Sequence, residues 1–208
     1  MSNTPSILGA LEAQLGPETI QKMSTQLGSD TAATSKAISM VLPILLGGLS
    51  KNASSADGAA ALDGALTAHD GGVLDNLGAL LGGGGGVGAK ILKHILGSRR
   101  APVEQGVGRA TGMSAQQVAS LLTMLAPLVM GVLGRMKREQ SIDAGKLPEV
   151  LGQANLEMAR ESPAVGDLSR ILDSNQDGQI ADDVARIGSS ILGGLLGRDS
   201  PANSSTKE

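Results

Sequence analysis

Apolar residues recur along much of the chain at three- and four-residue intervals, the period that lays one stripe along the face of an α-helix. Between Thr111 and Gly134 they fall at Val118, Leu121, Leu122, Leu125, Leu128, Val129 and Val132, with no charge in the stretch. A membrane span needs about 20 mainly apolar residues. Here Ser114, Gln116, Gln117, Ser120, Thr123 and Pro127 interrupt the run, so the pattern predicts a buried core helix.

The same pattern occurs twice. Gly28–Ser50 aligns with Gly112–Gly134 without a gap, at an offset of 84 residues. Gly28/Gly112, Met40/Met124, Pro43/Pro127, Gly47/Gly131 and Leu49/Leu133 are identical. Ile38/Leu122, Val41/Leu125, Ile44/Leu128 and Leu45/Val129 keep size and polarity. The chain therefore reads as two diverged copies of one helical unit. Ser29 or Asp30 opens the first helix, and Ser114 with Gln117 three residues on forms a capping-box pattern for the second. Pro43 and Pro127 cannot donate to the carbonyls of Ser39 and Thr123, so each helix is expected to kink or stop there.

Later elements keep one order in both copies. Helices are expected around Gly58–Leu66 and Ala144–Leu151, then around Val73–Leu80 and Ala164–Leu172. A loop and a closing helix follow, Val87–Leu96 in the first copy and the segment running to Leu196 in the second. The resulting fold class is all-α, a multihelical bundle divided into repeats 1–99 and 100–198. The tail 199–208 has no apolar residue larger than Ala and Pro and is expected to be disordered. The glycine run Gly82–Gly86 is expected to be a flexible connection, since no Gly-Lys-Ser/Thr follows it as a phosphate loop requires.

Composition narrows the chemistry. The 208 residues include no Phe, Tyr, Trp or Cys, and 30 are glycine. Each aromatic side chain usually buries about 150–250 Å², so a core of Leu, Ile, Val, Met and Ala is thin per residue and predicts modest stability. Without cysteine there are no disulfides, thiolate metal sites or thiol nucleophiles. Without aromatic stacking platforms, and at a net charge of -3, nucleic acid is not an expected partner. The N-terminal stretch shows no basic start followed by an apolar run, so a cytoplasmic location is the expectation. Membrane association is not expected.

One segment carries recognisable site chemistry. Asp173, Asn175 and Asp177 stand at positions 1, 3 and 5 of an EF-hand-like loop spanning Asp173–Val184. Oxygens at those alternate positions converge on a hard cation. Gly178 suits the sharp turn, Gln179 offers its backbone carbonyl, and Ile180 would anchor the loop. Val184 replaces the bidentate acid of the twelfth position, leaving Asp183 to close the shell and predicting weak Ca²⁺ binding, at about 10⁻⁴–10⁻³ M. An Asx-rich turn followed by an acidic helix start is the metal-free alternative. His69 and His94, the two histidines, are read as surface residues without a nucleophile to activate. The basic groups at Lys90–Arg100 and at Arg135, Lys137 and Arg138 are read as solvated faces.

The Leu42–Leu49 segment, Lys93–Gly97, Thr111–Ser114, Leu125-Ala126-Pro127 and the acidic loop Asp173–Asp183 together resemble the bacterial domain-of-unknown-function 937 family of YidB-like proteins. The resemblance extends to about Arg198 and implies a helical fold with no assigned activity. The functional expectation is a non-catalytic helical interaction or self-assembly module with a calcium loop, binding a protein partner or itself as a homo-oligomer. A metal-dependent enzyme and a peripheral membrane protein are the alternatives.

Overall fold

Residues 6–69, 72, 85–140 and 142–161 are described by the structure, a computed structural model; they lie in a unit spanning Met1–Val165. Every regular element among them is helical, as the periodicity predicts. The expected elements beyond residue 161, and the helix expected at Val73–Leu80, lie outside the described residues.

Local signals account for most helix ends. The helix α1 (Ile7–Gln14) starts where the Ser6 hydroxyl accepts the Gly9 N–H at 3.1 Å. Next comes α2 (Pro17–Leu27), opening on a proline, whose fixed φ suits the first helical position. It ends on Gly28 in the left-handed conformation, φ 58°. Asp30 caps α3 (Thr31–Ala53), accepting from the N–H groups of Ala32 and Ala33 at 2.8 and 3.1 Å. Ser55 caps α4 (Ala56–Ala68). The helix α5 (Gly85–Leu96) begins inside the glycine run, so Gly85 and Gly86 are helical rather than part of a connection. The first N–H groups of a helix have no partner to lose, which makes glycine tolerable there. A short 3₁₀ turn, Gly97–Arg99, leads into α6 (Arg100–Thr111), steadied by an Arg100–Glu104 ion pair.

Gly112, again left-handed at φ 76°, ends α6. The capping box then opens α7 (Ala115–Gln140). Ser114 Oγ accepts the Gln117 N–H at 3.2 Å, and Gln117 Oε1 accepts the Ser114 N–H at 2.8 Å. The last described helix is α8 (Leu147–Glu161), three residues later and ten longer at its C-terminal end than the Ala144–Leu151 pattern suggests. The Asp143 carboxylate holds the Lys146 N–H in a turn that displaces its start.

Of the kink or stop expected at the prolines, α3 and α7 show no stop; Pro43 and Pro127 lie within continuous helices. These two helices carry most of the core. Ile38, Val41 and Leu45 of α3 and Leu122, Leu125 and Val129 of α7 are all buried, and the helices pack on each other. Around them, α8, α4, α2 and α6 lie against α3, while α5, α6, α4 and α1 lie against α7. Each of the two is long and apolar enough to cross a membrane by length and composition. As folded, 61% and 72% of their most apolar windows are covered by protein, which is the condition of a core helix.

Two kinds of contact lock this arrangement. The first is close approach of backbones. A Cβ on Gly88 of α5 would strike the Thr123 carbonyl oxygen, which is the carbonyl that Pro127, four residues on, cannot hydrogen-bond. The gap in the α7 ladder is therefore filled by the glycine of a neighbouring helix. The second is reciprocal capping. Gln117 Nε2, at the start of α7, donates to the carbonyls of Leu27 and Gly28 at the end of α2, at 3.1 and 3.0 Å. Lys36 Nζ, near the start of α3, donates to the Ala110 carbonyl at the end of α6, 2.8 Å away. Each helix corner thus satisfies carbonyls that the other leaves open.

Gly88→Ala is expected to destabilise the protein. Its better helix propensity offers about 1 kcal/mol, whereas forcing a methyl against main chain costs about 1–3 kcal/mol. A melt followed by circular dichroism should fall by several degrees; an unchanged or raised midpoint would refute the close-approach account. Gln117→Glu keeps the acceptor of the capping box but removes the donor to Leu27 and Gly28 and turns a carboxylate towards their oxygens. It should cost about 1–2 kcal/mol; an unchanged or raised melting midpoint would show that the inter-corner bonds contribute nothing.

Candidate functional site

Four helices that meet through small residues leave space where larger side chains would otherwise interlock. Gly48 of α3 sits against the Ile95 side chain and carbonyl of α5. A Cβ on Gly134 of α7 would strike the carbonyls of His69 and Leu66 at the end of α4. Between these contacts lies a half-open cavity of about 480 Å³. That volume lies within the ~300–1,000 Å³ of small-molecule sites.

Its deep wall is aliphatic. Leu49, Leu62, Ile95 and Met130 line it and are buried, at 2%, 7%, 2% and 3% exposure. Polar groups stand further out. Asn52 and His69 are half-buried, and His94 is exposed. The Asn52 amide donates through Nδ2 to the His94 carbonyl at 2.7 Å, joining the end of α3 to the last turn of α5. His69, the C-cap of α4, lies 2.9 Å through Nδ1 from the Ala65 carbonyl. A carbonyl only accepts, so Nδ1 carries the proton and Nε2 is the nitrogen left for another partner.

The charges along the helices that line the cavity are uneven. The α5 sequence holds Lys90, Lys93 and His94 and no acidic residue, and all three are exposed. On α4, Asp63 is taken up by Lys137 of α7. The Lys137 ammonium is 2.6 Å from Asp63 Oδ1 and donates to the Asp63 carbonyl at 2.9 Å and to Thr67 Oγ1 at 2.8 Å. Lys137 is therefore a clamp between α4 and α7 rather than part of a solvated basic face, its side chain only 18% exposed.

The structure brings both histidines to one cavity, where the sequence suggests two unrelated surface residues. The amphipathic period of α5 could have placed His94 beside Ile91 and Ile95, but nothing local connects it with His69. The sequence-predicted calcium ligands Asp173, Asn175, Asp177, Gln179 and Asp183 lie outside the described residues. Among the described residues, no group of three or more His, Asp or Glu is placed to hold a metal ion.

The family model described as bacterial protein of unknown function (DUF937) matches residues 9–136, which include the described residues that line the cavity. The Asp173–Val184 loop falls outside the matched segment. No curated protein and no solved structure matches the chain.

Proposed function

The chain belongs to the DUF937 family of bacterial proteins of unknown function, and from that premise we propose that it is a non-catalytic helical interaction module whose binding surface includes the cavity between α3, α4, α5 and α7. The observation that carries this reading is the make-up of the cavity: a buried aliphatic wall with an amide and two imidazoles towards the opening. Apolar surface with a few placed polar groups is the arrangement of a binding pocket. Turnover would require a nucleophile or a substrate-activating ion beside an oriented base; the groups lining this cavity are suited to holding a ligand.

The second part of the proposal is the EF-hand-like loop. Asp173, Asn175 and Asp177 would supply side-chain oxygens, Gln179 its carbonyl, and Asp183 the closing carboxylate, with Val184 keeping affinity low. In this reading the 1–99 and 100–198 segments descend from one unit, and the second has acquired a cation loop.

The cavity is tested with an anilinonaphthalene sulfonate dye, which becomes fluorescent on apolar surface; the chain has no Trp or Tyr to interfere. One saturable site per chain is expected. Ala65→Leu, which extends a side chain into the cavity, should weaken dye binding at least tenfold without lowering the melting midpoint. Unaltered dye binding in that variant would place the binding surface elsewhere. The loop is tested by calorimetry and by melts with calcium or chelator. At a dissociation constant of about 10⁻⁴ M, calcium at about 1 mM should add roughly 1.4 kcal/mol. Asp173→Ala or Asp177→Ala should abolish that shift; the absence of both heat and shift in the unaltered protein would favour the metal-free Asx turn.

A further inference from the structure

We infer that the cavity between α3, α4, α5 and α7 takes a neutral, single-chain aliphatic alcohol, with its hydrocarbon tail on the aliphatic wall and its hydroxyl at His69 and Asn52; this deepens the binding reading above and rests on it.

Burial sets the direction of the ligand. Leu49, Leu62, Ile95 and Met130 are almost inaccessible and offer no strong hydrogen bond, so only hydrocarbon is stabilised against them. His69 and Asn52 are half-buried and supply the polar groups that a partly enclosed head meets. A volume of about 480 Å³ is that of a site for one small molecule.

Hydrogen-bond direction sets the nature of the head. His69 Nδ1 lies 2.9 Å from the Ala65 carbonyl oxygen. That oxygen can only accept, so Nδ1 carries the proton and, in the neutral ring, Nε2 is an acceptor. Asn52 obeys the same logic. Its Nδ2 donates to the His94 carbonyl at 2.7 Å, which commits one amide proton and leaves Oδ1 as an acceptor and the second N–H as a donor. A hydroxyl donates and accepts at once, so it can give its proton to Nε2 or Oδ1 and take the amide N–H on its oxygen. A carboxylate or an ether has only lone pairs to set against Nε2 and Oδ1, and an ammonium has only protons to set against the amide N–H. Each of those heads would give up water without a full set of replacement bonds, which costs more than one bond alone. His94 is exposed, so its ring stays hydrated whichever head is bound.

The experiment is calorimetric titration of the full-length protein at pH 8 with 1-hexanol, 1-octanol, heptyl methyl ether, octanoate and octylammonium, each below its aggregation limit. Affinity should rise about fourfold per methylene from hexanol to octanol; a flat series would overturn the placement of the tail. Octanol should bind about fivefold more tightly than the ether, which has the same number of heavy atoms, and than either charged head. His69→Phe keeps a planar ring while removing both nitrogens, and should erase most of octanol's advantage over the ether. That ratio is a readout that a general loss of stability does not move, and an undiminished ratio would overturn His69 as the partner. The ligand series in the unaltered protein tests the head whether or not this variant folds. Ala65→Leu should abolish octanol binding. If the ether, octanoate or octylammonium binds as tightly as octanol, and Ala65→Leu removes that binding, the cavity is a binding site but the alcohol assignment is overturned. If none of the five binds, or Ala65→Leu changes nothing, both the assignment and the cavity reading fail.

Discussion

A core without aromatic rings can be dense only if its helices come close enough for backbone to touch backbone, and this constraint governs the whole helical unit. Leu, Ile, Val and Met reach a short distance from the helix axis, so crossings that Phe or Trp would fill are closed by glycine instead. The most telling case is Gly88 against the Thr123 carbonyl. Pro127 removes the hydrogen bond that this carbonyl would accept within α7, and the same place accepts the closest approach of α5. The proline and the glycine, far apart in sequence, answer a single packing requirement. A helix interrupted by proline remains continuous because a neighbour covers the gap.

Polar contacts then fix the order in which the helices sit. Non-directional apolar packing tolerates sliding, whereas hydrogen bonds to helix-end carbonyls do not. Gln117 reaches the end of α2, Lys36 reaches the end of α6, and Lys137 reaches the Asp63 and Thr67 region of α4. Each side chain joins elements from opposite halves of the described unit. These bonds sit where carbonyls would otherwise lack partners, so losing one costs more than the bond itself.

The cavity follows from the same economy of side-chain volume. Gly48 and Gly134 pull α3, α4, α5 and α7 together at their crossings, yet the side chains between those crossings are too short to meet in the middle. The space left is aliphatic because the residues around it belong to core stripes. It is polar at the opening because helices end there, and helix ends recruit residues such as His69 and Asn52 that bond to free carbonyls. Membership of a family of unknown function supplies no ligand, so the chemistry of this lining is the available guide to what the protein holds.

What could be read from the sequence was whatever depends on neighbours within a turn or two. The Asp30 cap, the Ser114–Gln117 box, the α4 and α5 segments and the buried stripes of α3 and α7 all rest on i to i+3 or i+4 relations, which sequence spacing specifies directly. The choice between kinking and stopping at the prolines of α3 and α7 was not legible, because it depends on what packs against the break. Nor was the clamp role of Lys137, whose partner lies 74 positions away, or the Asn52 bond across 42 positions to His94. The Asp173–Val184 loop stands on its sequence pattern alone, since its side-chain geometry lies outside the described residues. Local backbone chemistry thus determined where the helices are, while the cavity and its two histidines were decided by tertiary packing, because a binding surface exists only where chain segments distant in sequence are brought to one place.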